Sequence, residues 1–170
     1  MFVESISLHG SSRQSDREAF SLPVLLGFVF GTLALGGLGA LLGNADTYQH
    51  IVKPPLSPPA WLFPVAWSIL YVLMGIAAYL VWQASATERS GALRLYLAQL
   101  VVNVLWPLFF FRLEWRLFAF FWLLLLVALV ALTAVGFRYL SKPAYRLLIP
   151  YLLWLGFAGY LNLATYFLNL

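Results

Sequence analysis

Five long apolar stretches occupy most of this 170-residue chain, and they exclude most water-soluble folds. A bilayer hydrocarbon core of about 30 Å is crossed by roughly 20 apolar residues in a helix, and no charged residue falls near the middle of any stretch. We therefore predict an all-α protein, a bundle of five transmembrane helices. The predicted helices cover residues 22–43, 61–84, 93–111, 117–137 and 147–170.

The composition also favours a membrane protein. The chain is 63% hydrophobic and 9% charged, with a mean hydropathy of +0.88, whereas about a quarter of the residues in soluble domains are charged. The length allows one membrane domain, residues 21–170, after a polar tail at residues 1–20 that we expect to be mobile.

We predict a multi-pass integral protein of a bacterial membrane, with an organellar membrane as the alternative. The scattered basic residues predict no nucleic-acid partner.

The connection between the first two predicted helices, residues 44–60, is long and rich in proline. It contains Pro54, Pro55, Pro58 and Pro59. Proline fixes φ and donates no backbone hydrogen bond, so this loop is predicted to be stiff and extended. Long loops in compact domains are often lids. The loop is either a lid over one end of the bundle or a rigid spacer.

The first predicted helix carries glycines at small-residue spacing. Gly27 and Gly31 are four residues apart, and so are Gly39 and Gly43. Such pairs let two membrane helices approach closely. The two interpretations are a homodimer face formed by these four glycines and close packing within one bundle.

Three of the predicted helices each carry aromatic side chains at helical spacing on one face, and two of these faces also carry amide side chains. If these faces converge, they enclose an apolar cavity with aromatic walls, which suits a flat hydrophobic ligand. Alternatively, the amides only hold the helices together. The residues are Trp67 and Tyr71 in the second helix, Gln99, Asn103 and Trp106 in the third, and Trp154, Ala158 and Asn162 in the fifth.

Catalytic and metal-binding signatures are weak. The two histidines, His9 and His50, lie in the tail and the loop, and the chain has no cysteine, so we predict no metal site. No carboxylate lies within a predicted helix core, so hydrolytic chemistry is not expected. We predict a binding protein that requires no cofactor.

Three segments resemble signature stretches of the translocator protein family, whose members are also called tryptophan-rich sensory proteins or peripheral benzodiazepine receptors. They are residues 53–67 (KPPLSPPAWLFPVAW), 98–110 (AQLVVNVLWPLFF) and 150–162 (PYLLWLGFAGYLN). The resemblance extends over all five predicted helices.

This resemblance implies a five-helix, commonly dimeric fold that binds porphyrins such as protoporphyrin IX and haem, sterols and benzodiazepine-type ligands. The first loop would cap the pocket. The implied ligand-binding residues are Trp67, Tyr71, Gln99, Asn103, Trp106, Trp154, Ala158 and Asn162, and the implied cap residues are Tyr48, Lys53, Pro54, Pro58 and Pro59.

The chain also departs from the family pattern. Thr47 and Leu56 stand where the family commonly has aromatic residues, and no basic residue follows Tyr166, so the sterol motif is absent. We predict a receptor or sensor for a tetrapyrrole in the membrane. The alternatives are an enzyme that degrades protoporphyrin IX in light and oxygen, with Trp67 and Trp154 taking part, and a passive transporter of porphyrin or lipid-like cargo.

Overall fold

The structure, a computed structural model, describes residues 20–43, 46–84 and 86–170, without the side chains of residues 86–88. Helices dominate these residues and no strand occurs among them, which confirms the predicted all-α class. The predicted mobile tail lies outside the described residues, apart from residue 20. The helices are α1 (Leu22–Leu42), α2 (Thr47–His50), α3 (Leu62–Trp82), α4 (Ala86–Pro107), α5 (Arg116–Leu140) and α6 (Lys142–Leu168), and a π-helical turn, Leu108–Arg112, continues α4.

All of these helices except α2 are long and apolar enough to span a membrane. Their outer surfaces carry large apolar side chains, among them Phe30, Phe121 and Leu153, which are 62%, 60% and 71% exposed. Exposed apolar surface on this scale is stable against hydrocarbon rather than water. The protein is a multi-pass integral membrane protein, as the sequence predicts.

The helix ends differ from the predicted ones where helices extend past the apolar core. Helix α4 begins at Ala86 instead of residue 93, and α6 begins at Lys142 instead of residue 147. Polar residues are tolerated in a helix at headgroup depth, so hydropathy marks the apolar part and misses the rest. Ser141 caps α6, where its hydroxyl accepts from the Ala144 backbone N–H at 3.4 Å.

The loop between α1 and α3 is not extended throughout, contrary to prediction. Residues Thr47–His50 form the short helix α2 ahead of the first loop proline, Pro54. Without a proline in this stretch, nothing in the local sequence prevents a helical turn. The proline-rich part that follows is irregular, and a turn there puts Leu56 at a φ of 65°.

The five long helices form a ring in the order α1, α3, α6, α5, α4. Helix α1 packs against both α3 and α4, while α3 and α4 contact each other less. Short links place sequential helices side by side for α4 with α5 and for α5 with α6. Helix α1, in contrast, lies between much of α3 and α4.

Glycines determine how closely α1 approaches its neighbours. A Cβ added to Gly75 of α3 would lie 2.7 Å from the Val29 Cα of α1. Near the other end of α1, a Cβ on Gly39 would lie 3.1 Å from the Val104 carbonyl oxygen of α4, and one on Gly43 would lie 3.3 Å from Pro107 Cβ. Among these contacts, the backbone of α1 therefore comes closest to α3 near the start of α1 and to α4 near its end.

The four glycines of α1 singled out in the sequence do not share one face. Gly39 and Gly43 contact α4 of the same chain, whereas a Cβ on Gly27 or Gly31 would meet nothing within 4 Å. Twelve residues of α-helix turn the second pair well away from the first. Only Gly27 and Gly31 face outward, and a homodimer through them stays a prediction.

The half of the bundle away from the loop is solidly packed. Met74, Val81 and Phe137 have no exposed surface. The hydroxyl groups of Thr32 and Tyr96 are 2.6 Å apart and join α1 to α4. Open space in the bundle therefore lies in the half beneath the loop.

Candidate ligand-binding site

A cavity of about 480 Å³ opens inside the bundle beneath the loop between α1 and α3. All five long helices contribute to its wall, and most of the wall is apolar. Pockets of roughly 300–1,000 Å³ are typical for small-molecule ligands. The lining residues are Leu33, Gly36, Gly37, Ala40, Gly43, Tyr48, Ala60, Phe63, Pro64, Trp67, Ser68, Tyr71, Asn103, Trp106, Pro107, Phe111, Leu123, Leu126, Trp154 and Ala158.

Aromatic rings from α3 and α6 form one wall of this cavity. The Trp67 ring stacks on Tyr71 with centroids 5.5 Å apart, and it meets Trp154 nearly edge-on at 6.4 Å. Phe63 contacts Trp154 edge-on at 6.1 Å. These offset and T-shaped contacts are favourable arrangements of aromatic quadrupoles. They hold the two indoles in fixed positions beside the open space.

The polar part of the wall belongs to a chain of hydrogen bonds between α3, α4 and α6. The Tyr71 hydroxyl donates to Asn103 Oδ1 at 2.7 Å, and Asn103 Nδ2 donates to the Tyr151 hydroxyl at 2.8 Å. Tyr151 in turn donates to Gln99 Oε1 at 3.2 Å. Only Tyr71 and Asn103 line the cavity. Gln99, which is 1% exposed, lies behind them.

Asn162 supports the wall from outside the main cavity. With its amide oriented to satisfy both atoms, Nδ2 donates to the Arg116 carbonyl oxygen at 2.8 Å and Oδ1 accepts from the Trp106 indole N–H at 3.3 Å. The same indole N–H lies 3.2 Å from the Ala119 carbonyl oxygen. Asn162 lines a separate cavity of about 40 Å³ under the loop. It orients the Trp106 ring.

Six of the eight residues predicted to bind ligand therefore line the main cavity, and two do not. Gln99 and Asn162 share helical faces with lining residues but lie one layer deeper, where they bond to Tyr151 and Trp106. Helical spacing gives the direction of a side chain and not its depth. The residues brought together at the cavity are Trp67, Tyr71, Asn103, Trp106, Trp154 and Ala158.

The predicted cap residues lie over this end of the bundle. Tyr48 lines the main cavity, and its hydroxyl donates to the Pro58 carbonyl oxygen at 2.7 Å. Lys53 Nζ lies 4.7 Å from the Tyr48 ring centroid, a cation–π contact. Lys53 and the buried Pro54 line the smaller cavity. Pro59 is exposed, and its carbonyl oxygen accepts from the Leu62 N–H at the start of α3.

Tyr48 remains a hydrogen-bond donor over a wide pH range. Partial burial raises the pKa of its phenol above the ordinary value, and a hydrogen bond with Ser57 opposes this shift. The neutral hydroxyl can therefore keep its bond to the Pro58 carbonyl oxygen near neutral pH.

The end of α6 fastens the loop through hydrogen bonds. Asn169 forms a two-bond pair with the Val52 backbone, in which Oδ1 accepts from the N–H and Nδ2 donates to the carbonyl oxygen, both at 2.9 Å. The Tyr160 hydroxyl donates to the Pro55 carbonyl oxygen at 2.9 Å. At the start of the loop, Thr47 Oγ1 donates to the Phe111 carbonyl oxygen at 2.9 Å. These hydrogen bonds hold the loop over the cavity.

We expect Asn169→Ala to loosen the loop without unfolding the bundle. The variant loses both bonds to Val52, and each solvent-accessible bond contributes about 1 kcal/mol. The sum of about 2 kcal/mol predicts that hydrogen exchange at residues 46–60 becomes about 30-fold faster, while exchange in α5 stays unchanged. Leu170→Ala is the control, because Leu170 is 83% exposed. Equal exchange in the two variants would show that Asn169 does not hold the loop.

The sequence prediction missed several lining residues, and all of them except Ser68 are apolar or glycine. Phe63 lies one turn before Trp67, so its helical spacing was an available signal. Leu123 and Leu126 line the cavity from α5, where a leucine in an apolar helix gives no signal that distinguishes a cavity wall from a lipid-facing or core position. Gly36 matters through its missing side chain, because an added Cβ would clash with the Tyr71 ring. Such contacts depend on the packing of one helix against another, which the sequence of a single helix does not specify.

Within the part of the chain that the structure describes, no three His, Cys, Asp or Glu side chains lie close enough to hold a metal ion. The polar groups at the cavity are hydroxyl, amide and indole groups. Their chemistry suits hydrogen bonding and ring stacking.

Fold and cavity together define a class: a helical membrane protein with five spans and an aromatic-lined cavity beneath a loop that hydrogen bonds hold in place. Residues 21–168 match the TspO/MBR family. The chain is 38% identical to the translocator protein of Bos taurus over 142 residues, which covers 78% of this chain and 84% of the relative. The chain belongs to the TspO/MBR family.

Prokaryotic relatives match over comparable lengths. The tryptophan-rich protein TspO of Archaeoglobus fulgidus is 36% identical over 148 residues, covering 85% of this chain and 96% of the relative. The tryptophan-rich sensory protein of Cereibacter sphaeroides is 40% identical over 132 residues, covering 77% and 82%. The relatives thus include both sensory and translocator proteins by name, from prokaryotes and from a mammal.

Proposed function

We propose that this protein is a membrane receptor or sensor that binds a flat hydrophobic ligand of the tetrapyrrole class, such as protoporphyrin IX or haem. The observation that carries the proposal is the cavity of about 480 Å³, with the indoles of Trp67 and Trp154 fixed on its wall. A flat aromatic ligand would stack on or meet these rings edge-on and bury its apolar surface.

The polar groups at the cavity would orient such a ligand. Tyr71 and Asn103 lie on the wall between α3 and α4 and offer hydrogen bonds to a polar atom of the ring. Lys53 lies in the loop, where its ammonium group is suited to a carboxylate at the ligand's edge. Area burial and stacking together supply about −8 kcal/mol, which corresponds to micromolar affinity.

The relatives support a receptor role only in outline. One is named a tryptophan-rich sensory protein and another a translocator protein. These names agree with a protein that holds a ligand in the membrane. They do not name that ligand, which has to be identified by experiment. The fastened loop favours retention of the ligand over rapid passage through the bundle.

The test is a titration of the purified protein with protoporphyrin IX, first in the dark and then in light. We expect quenching of tryptophan fluorescence with a micromolar Kd in the dark, because the porphyrin would lie against the indoles. Under illumination in air, the Soret band of the bound porphyrin should persist. Absence of saturable quenching in the dark would refute porphyrin binding.

The light arm separates the receptor from the alternative enzyme. If the Soret band bleaches with formation of a discrete product, and bovine serum albumin with bound porphyrin shows no such product, the protein is a porphyrin-degrading enzyme. Trp154→Phe should then slow the bleaching while dark binding is retained. Movement of porphyrin across sealed vesicles that contain the protein would instead indicate transport.

A further inference from the structure

The chain of hydrogen bonds behind the cavity wall has a direction. In the arrangement described above, which we call the inward order, every donor points away from the cavity, from Tyr71 through Asn103 and Tyr151 to Gln99. A tyrosine hydroxyl has one hydrogen. Since Tyr71 has given its hydrogen to Asn103, its oxygen can only accept a hydrogen bond from a ligand.

The far end of this chain is incompletely satisfied. Gln99 Nε2 is buried and has no hydrogen-bond partner within the described residues, although Gln99 Oε1 accepts from Tyr151. Buried amide N–H groups without partners are rare, and a carbonyl oxygen with few partners is less so. A 180° rotation of the Gln99 side-chain amide would therefore pair the nitrogen with Tyr151 and leave the oxygen as the atom without a partner.

A 180° rotation of the side-chain amides of Asn103 and Gln99 reverses the direction of all three hydrogen bonds. Gln99 Nε2 then donates to Tyr151, Tyr151 donates to Asn103 Oδ1, and Asn103 Nδ2 donates to the Tyr71 oxygen. In this outward order the Tyr71 hydrogen is free to donate to a ligand. The heavy atoms occupy the same positions in both orders, because amide O and N have nearly the same size. Each order makes three bonds and leaves one Gln99 atom without a partner.

We propose that Tyr151 and Gln99 are positioning residues that make the polar wall of the cavity reversible. Tyr71 then accepts from an N–H or O–H ligand in the inward order and donates to a carbonyl ligand in the outward order. This inference rests on the proposed function, because it concerns ligands in the same cavity. It adds a specificity rule: flat apolar ligands bind whether their polar group is a donor or an acceptor.

The experiment uses two tricyclic probes of similar shape. Carbazole offers an N–H donor, and fluorenone offers a carbonyl acceptor. We expect the wild-type protein to bind both with Kd values within about threefold. The infrared carbonyl stretch of bound fluorenone should shift to lower frequency, as expected for an acceptor of a hydrogen bond, and Tyr71→Phe should abolish that shift.

Gln99→Met should fix the chain in the outward order. Both orders keep the two bonds that do not involve Gln99, but the inward order would leave the buried Tyr151 hydroxyl hydrogen without an acceptor, whereas in the outward order Tyr151 donates to Asn103 Oδ1. The affinity ratio of fluorenone to carbazole should therefore rise about fivefold or more, which is the scale of one net hydrogen bond. Thr133→Val is the matched control, because Thr133 is also buried but bonds only to the Leu129 carbonyl oxygen within α5.

Three outcomes would overturn the inference. One is an unchanged affinity ratio in Gln99→Met. Another is an unshifted fluorenone carbonyl in the wild-type protein, a measurement that does not depend on folding of any variant. The third is binding of protoporphyrin IX with no binding of either probe, which leaves the proposed function intact. If protoporphyrin IX also fails to bind, the proposed function itself fails.

Discussion

Removing both cavity indoles, in the double variant Trp67→Ala with Trp154→Ala, should weaken dark binding of protoporphyrin IX about 100-fold. The two rings lie with centroids 6.4 Å apart on the cavity wall, so a flat ligand would contact both. Each lost aromatic contact removes stacking and apolar burial worth about 1.5 kcal/mol, and the sum of about 3 kcal/mol corresponds to that factor. The measurement is a fluorescence titration that follows the porphyrin.

The matched control replaces two tryptophans that lie elsewhere. Trp61 and Trp115 are 65% and 56% exposed and lie at helix ends, so Trp61→Ala with Trp115→Ala should leave the Kd within about twofold. Trp67→Phe with Trp154→Phe should retain most of the affinity, because phenyl rings still stack. An unchanged Kd in the double alanine variant, with its fold intact by circular dichroism, would show that the ligand binds elsewhere.

The second large effect is expected at Gly75, far from the loop. Gly75→Ala would place a Cβ 2.7 Å from the Val29 Cα and 3.0 Å from the Phe28 carbonyl oxygen. Both neighbours are backbone atoms of α1 and cannot rotate away, so the helices must separate. Overpacking of this kind costs about 2–3 kcal/mol. In detergent, the midpoint of thermal unfolding should fall by about 5–10 °C.

Gly27→Ala provides the comparison for this experiment. Its Cβ would meet nothing within 4 Å, and alanine favours helix over glycine, so its unfolding midpoint should stay equal or rise slightly. Gly36→Ala tests the equivalent substitution at the cavity, where the neighbour of the added Cβ is a side chain, the Tyr71 ring, instead of backbone. A midpoint in Gly75→Ala as high as in Gly27→Ala would mean that α1 does not pack tightly on α3 in the membrane.

Helical spacing predicted which side chains would face a common cavity where those side chains project directly inward. Trp67, Tyr71 and Asn103 lie on predicted faces, and the structure brings them to one cavity. Gln99 and Asn162 share those faces but lie deeper, since depth depends on how far neighbouring helices stand apart. The fully buried Tyr151 follows the same spacing, yet only contacts show that it joins Asn103 to Gln99.

The glycines of α1 also show that sequence spacing does not identify the contact partner of a residue. Small-residue spacing indicated close helix approach, but not which helix would approach which glycine. The structure places Gly39 and Gly43 against α4 and leaves Gly27 and Gly31 outward. A sequence motif of this kind states that contact is sterically allowed, while the identity of the partner depends on the order of helices in the ring.

The sequence by itself determined that this protein spans the membrane with five helices, because the apolar length of each segment has no other stable environment. It also determined the family and most of the aromatic residues that line the cavity. The tertiary structure alone decided that α1 lies between α3 and α4, that the cavity occupies the loop half of the bundle, and that Asn169 fastens the loop. These features arise from contacts between distant segments, and local periodicity carries no information about such contacts.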